Sequence, residues 1–176
     1  MRQGLRAPGP PGAAKPRGSR AARGSVRQMS HEPSAGWLEG REHVLPVRIY
    51  YEDTDFTGVV YHANYLRYFE RGRSDFLRVC GIGHQALLEL PEPAAFAVTH
   101  MAIDFKRAAR IDDALHVRTT YDAVKGPRLF VSQRILRGQD LIAQASVEAA
   151  CIGLDGRARR PPPGLVERLK PLFAAP

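Results

Sequence analysis

Asp53, Asp55 and His62 fall within ten residues, DTDFTGVVYH, of a 176-residue chain. Three chemistries can be written on that string. The spacing Asp53-x-Asp55-x-Thr57 suits phosphoryl transfer, in which the first carboxylate attacks phosphorus and the second handles the leaving group's proton beside Mg²⁺. Asp53, Asp55 and His62 could instead hold a metal ion. In the third, a helix beginning near His62 offers unpaired N–H groups to a carbonyl oxygen as negative charge develops on it. Asp55 would then attack that carbonyl or take a proton from water, and Gly58 would let chain and substrate come close. That arrangement suits hydrolysis of an activated ester.

The elements that hold these residues decide among the three. Val47, Ile49 and Tyr51 alternate with Arg48, Tyr50 and Glu52, the period of a half-buried strand, and Asp53 to Gly58 breaks it. From about Ala63, residues Tyr65, Phe69, Gly72, Phe76 and Val79 fall on one helical face, ended by Gly81 and Gly83. Gly72 inside that face costs a helix nearly 1 kcal/mol, which predicts that something packs closely against it. His84 to Leu90 can form a second short helix before Pro91 and Pro93. Phe96 to Phe105 is apolar on much of both faces, as a strand is when a helix covers one side and a partner subunit the other. Leu115 to Tyr121 alternates, Leu129 to Leu136 makes a further run, and Arg137 to Asp140 is a hairpin loop. The strand from Leu141 to Cys151 carries small residues that would admit a helix, and Leu165 to Leu172 predicts a terminal helix.

A strand, a long helix and four strands joined by short turns make an α+β fold with a mostly antiparallel sheet. That order excludes a doubly wound fold and disfavours phosphoryl transfer, whose motif follows a buried parallel strand. The metal reading lacks a second His or Cys cluster. Asp53 and Asp55 share a side if the strand continues, so periodicity does not choose between them.

The formal charge of +8 belongs mostly to the first 28 residues, which hold seven basic side chains and no acid. The remainder has 19 basic against 18 acidic groups, and no aromatic residues interleave with the basic tail, so a nucleic-acid partner is not expected. Residues 1–42 are read as a disordered basic extension, with Met29 a candidate first residue, and 43–173 as a single domain. No apolar run is long enough to span a membrane, and Cys80 and Cys151 make no disulfide framework. Together these place the chain in the cytoplasm.

The span Arg48-Ile49, four residues, Thr54-Asp55, two residues, Gly58-Val59-Val60-Tyr61-His62, two residues, Tyr65 resembles the signature of the 4-hydroxybenzoyl-CoA thioesterase family. VRIYYEDTDFTGVVYHANYLRYFERGRSDFLR is closer still to the branch encoded with the bacterial Tol-Pal envelope system, and the likeness runs over roughly residues 45–170. The resemblance implies a hotdog fold, a curved antiparallel sheet wrapped around one long central helix. It implies dimers that continue the sheet, often a dimer of dimers (a homotetramer), with the active site at the dimer interface. It makes Asp55 the nucleophile or general base and His62 the source of a helix-start N–H for the thioester carbonyl. The substrate class is acyl-CoA, with CoA part of the substrate and no separate cofactor or metal.

Gly58, Val59, Tyr61 and Asn64 are then substrate-binding candidates, Asn64 also as a helix cap or water-ordering group. Lys106, Arg107 and Arg110, with Arg128 behind them, are candidates for the CoA phosphates. Asp53 is assigned a structural role, as a cap or a partner for an arginine. Two other readings stand beside hydrolysis. One is a hotdog hydratase, whose longer motif is missing here; the other is a binding module for acyl-carrier protein or envelope-associated partners.

Overall fold

A computed structural model describes residues 35–173. The chain runs through β1 (Trp37–Glu39), β2 (Glu42–Arg48), a 3₁₀ turn at Tyr51–Asp53, α1 (His62–Val79) and α2 (His84–Leu88). It continues through β3 (Ala95–Phe105), β4 (Ala114–Lys125), β5 (Arg128–Arg137), β6 (Asp140–Ile152) and α3 (Pro163–Leu169). The six strands form one sheet in the order β1-β2-β4-β5-β6-β3, every pair antiparallel. The fold is α+β and hotdog in type, with α1 lying against the sheet. Most of the expected extension, residues 1–34, lies outside the described residues; its final stretch does not, since Trp37–Glu39 pairs with β2.

The helical face is where its period puts it. Tyr65, Phe69, Gly72 and Phe76 are all buried, while Val79 at the last turn is exposed. A Cβ on Gly72 would stand 2.8 Å from Val117 Cγ1 and 2.9 Å from Thr119 Oγ1. The missing side chain lets α1 seat directly on β4, and the Gln133 amide reaches across to donate to the Phe69 carbonyl at 2.9 Å. The close approach expected at the small residues of β6 is made here instead.

Two sequence expectations are corrected. The strand ends at Arg48 rather than Glu52, because the Asp53 carboxylate turns back to accept the Tyr50 N–H at 2.8 Å and winds 51–53 into a 3₁₀ turn. Tyr51, expected beside Val47 and Ile49, is 85% exposed. The second concerns β3 and β4, which are not hairpin neighbours. β3 pairs β6 at one edge, so residues 106–113 must cross the sheet end to begin β4. That crossing brings the segment beside the acidic turn.

Candidate active site

Thr54 and Val60 bridge as an antiparallel pair, making residues 55–59 the tip of a small hairpin. Asp55 N–H donates to the Val59 carbonyl at 2.9 Å, and Gly58 N–H to the Asp55 carbonyl at 3.0 Å. Gly58 takes φ = 76°, a conformation that strains residues carrying a Cβ. The half-buried Asp55 carboxylate is oriented by Thr57, whose hydroxyl (2.5 Å) and N–H (2.8 Å) both donate to Oδ1. Those two bonds, the hydroxyl's first, hold the Asp55 carboxyl below the usual aspartate range, so it is an anion near neutral pH. The Val59 N–H adds a weaker pull on the same carboxylate, and among the described residues no donor lies within ordinary hydrogen-bond distance of Oδ2.

The start of α1 is tied to the same turn from the other side. The Asp53 carbonyl accepts the Tyr61 N–H at 2.9 Å and the Asn64 side-chain amide at 2.8 Å. No side chain caps the helix start. The His62 N–H therefore belongs to the group of first-turn donors for which an α-helix has no internal acceptor. The His62 ring is exposed and lies against the ring of Tyr61, centroids 4.5 Å apart. Asp53, with its carboxylate on Tyr50 and its carbonyl on Tyr61 and Asn64, is spent on holding this geometry.

The crossing segment completes the frame. Val59 bridges Arg110, the Val60 N–H donates to the Ala109 carbonyl at 2.9 Å, and the Ala109 N–H donates to the Tyr65 hydroxyl at 3.2 Å. Arg48 caps the Asp112 carbonyl at 2.6 Å, at the one non-glycine residue with positive φ (67°) among the described residues.

The candidates thus separate. Asp55, Gly58, Val59, Tyr61 and the His62 N–H share one hairpin and helix start, and the Arg110 backbone joins them. Asn64 is buried and gives its amide to Asp53 rather than presenting it. Lys106 lies 3.5 Å from Asp104, and Arg107 donates to the Leu141 carbonyl at 3.1 Å, both at the end of β3. Arg128 begins β5 at the opposite end of the sheet, paired with Glu148, and is not part of the group. Thr57 enters the sequence reading only through the phosphoryl-transfer spacing, and Arg48 and Tyr65 only as positions of the family signature and of the strand and helix; none is named there as a site residue. Only Thr57 had a local signal, as a hydroxyl two residues after an aspartate in a turn.

The antiparallel sheet removes the phosphoryl-transfer reading, which needs a parallel one. A depression of about 790 Å³ between α1 and β2–β4 reaches the acidic turn through Glu52 and Asp53, but neither Asp55 nor His62 lines it. What the hairpin and helix start can do together is hold a carbonyl oxygen on N–H groups with a carboxylate anion alongside.

Residues 50–169 match the family model of the thioesterase-like superfamily. The chain belongs to that superfamily. Among similar proteins, an acyl-CoA thioesterase YbgC of Haemophilus influenzae is 47% identical over 110 residues, covering 62% of this chain and 80% of that protein. The acyl-CoA thioester hydrolase YbgC of Escherichia coli O6:H1 is 39% identical over 127 residues, 71% of this chain and 93% of its own. The crystal structure of a probable thioesterase from Bartonella henselae aligns with TM-score 0.67 at 45% identity, over 69% of this chain and 99% of that one. The superfamily match starts at Tyr50 and so includes the whole acidic hairpin and α1; β1 and β2 lie before it.

Proposed function

We propose that this thioesterase-superfamily chain hydrolyses the thioester of an acyl-CoA, using Asp55 as its base or nucleophile and the first N–H groups of α1 as the oxyanion donor. Membership of the superfamily and two relatives named as acyl-CoA thioester hydrolases support the activity. The observation that carries the residue assignment is the shared anchor: the hairpin with Asp55 and the helix start at His62 are fastened to each other through the Asp53 carbonyl.

The thioester oxygen rests on the His62 end of α1. In the water route, Asp55 Oδ2 takes a proton from water as the water oxygen attacks the carbonyl carbon. The C–S bond then breaks, and the proton held by Asp55 returns to the departing sulfur. In the covalent route Oδ2 attacks the carbonyl carbon, the C–S bond breaks and CoA leaves as a thiolate that takes a proton from solvent, and water then cleaves the mixed anhydride to the free acid and the Asp55 carboxylate. Gly58 and Val59 leave room for the substrate, Tyr61 flanks it, and Arg110 is the cation best placed for a CoA phosphate, with Lys106 and Arg107 further along the edge. The reading includes an assembly of copies joined through β3, the longer of the two edge strands of the sheet. An acyl-carrier protein would present the same thioester, and a competition assay against acyl-CoA separates the two carriers.

The test is Asp55→Asn assayed by free-thiol release from a panel of acyl-CoAs. A loss of about 10²–10⁴-fold in kcat with unchanged thermal unfolding is expected. Turnover near that of the unaltered protein refutes the assignment.

A further inference from the structure

The turn that carries Asp55 has two corners. Its closing bond runs from the Gly58 N–H to the Asp55 carbonyl at 3.0 Å, which leaves Phe56 and Thr57 between them. Thr57 is committed, since its hydroxyl and N–H both donate to Asp55 Oδ1. Phe56 has no such task. Its ring is 101% exposed, more than any other large apolar side chain among the described residues. Turn corners favour Gly, Pro, Asn, Asp and Ser, each for a backbone reason that phenylalanine does not supply. Tyr50 and Tyr51 are exposed as well, but their hydroxyls can bond water, whereas the Phe56 ring is wholly apolar.

What that ring can reach is set by its neighbour. Adjacent Cα atoms are about 3.8 Å apart, and Asp55 acts only with its carboxylate about 3–3.5 Å from the thioester carbon, or with one water between them. A phenyl ring on the next residue therefore reaches the groups bonded to that carbon, the acyl chain on one side and the sulfur on the other. The nucleotide of CoA is at the far end of the pantetheine arm. Of the two near groups the acyl chain is the apolar one, because the arm carries amides. The site also lacks cover: Asp55 is half-buried and the His62 ring is exposed. An apolar ring laid over the acyl group supplies part of that cover, and excluding water strengthens the hold of the helix-start N–H groups on a developing oxyanion.

We propose that Phe56 is a specificity-determining residue, its ring lying over the acyl group while Asp55 acts on the thioester, so that larger apolar acyl groups are preferred to acetyl. The inference rests on the thioesterase reading above and deepens it by naming the class of acyl group. Thr57 and Phe56 then divide the turn between them: one corner sets the carboxylate, and the other meets the substrate.

Phe56→Ala and Phe56→Leu test it, assayed by free-thiol release from acetyl-, hexanoyl- and benzoyl-CoA. The unaltered protein is expected to have the lowest kcat/KM toward acetyl-CoA. In Phe56→Ala the ratio of hexanoyl to acetyl kcat/KM falls at least about tenfold, mainly through a higher KM for hexanoyl-CoA, and Phe56→Leu recovers part of it. The acidic limb of the kcat/KM profile stays in place in Phe56→Ala, because both Thr57 bonds to Asp55 remain. The ring stands free of the described chain, so thermal unfolding is unchanged in both variants. An equal loss on all three substrates puts the ring on the CoA arm or in support of the turn and overturns the proposal. So do an unchanged ratio, a shifted acidic limb, an unaltered protein that prefers acetyl-CoA, or a fall in assembled mass on sedimentation, which would seat the ring against another copy. An unaltered protein that releases CoA from none of the three defeats the thioesterase reading itself; an active one whose ratio ignores Phe56 defeats only this inference.

Discussion

The side-chain amide of Asn64 donates to the main-chain carbonyl of Asp53 at 2.8 Å, and through that bond the start of α1 and the acidic hairpin keep one relative position. Replacing Asn64 by Leu should loosen the two halves of the site without removing either. Displacements on the order of 1 Å cost about 10²-fold in rate. The expected result is a fall in kcat of that order with KM little changed, read from acyl-CoA kinetics beside an unaltered circular dichroism spectrum.

Thr57 sets the protonation of Asp55. Its hydroxyl and N–H keep the carboxyl below the usual aspartate range, so the base form persists as the medium is acidified. Thr57→Val removes the larger of the two contributions and lets the Asp55 value rise. The acidic limb of the kcat/KM profile should therefore move to higher pH, with the neutral plateau keeping its shape. An unshifted limb would mean that another group controls it.

Gly72 permits the contact between helix and sheet. A methyl group there meets Val117 and Thr119 inside 3 Å, so Gly72→Ala forces the two elements apart despite alanine's better helix propensity. Overpacking of this kind costs about 1–3 kcal/mol. Chemical denaturation should report that loss, against a gain of up to about 1 kcal/mol if propensity alone governed.

His43 should make the fold sensitive to acid. Its ring is fully buried, Nε2 bonds Asp75 Oδ2 at 3.0 Å, and Nδ1 has no partner among the described residues. Burial lowers its proton affinity, and the opposing pull of Asp75 does not restore it, because a second ring proton would be enclosed without an acceptor. The folded state thus binds this proton less readily than the unfolded chain, whose value is about 6.5. Stability should be full above that pH and fall as the medium is acidified toward the folded value. Thermal unfolding followed from pH 8 down to pH 5 tests it, and His43→Gln should flatten the decline.

Much of this architecture can be read from residue order because it depends on neighbours. The buried face of α1, the alternation of Leu115 to Tyr121, the hairpin at Arg137 to Asp140 and the tight packing at Gly72 all follow from local periodicity and backbone preference. So does the conjunction of Asp55 with a helix start seven residues later, which one short loop must hold together. The Thr57–Asp55 bond is equally local. The early end of β2 is a competition that alternation does not register, since a single side-chain bond from Asp53 outweighs the next ladder pair.

The remainder was decided by contacts between residues far apart in the chain. Periodicity states which face of a strand is buried but not which strand lies beside it. The place of β3 at the edge next to β6, and with it the crossing of residues 106–113, therefore appears only in the folded sheet. That crossing brings Ala109 to Tyr65 and the Arg110 backbone to Val59, separates Arg128 from Lys106 and Arg107, and leaves β3 at an edge of the sheet. Sequence placed the Asp55 carboxylate and the helix start at His62 in one loop because both are local; the surroundings that hold them are products of strand pairing.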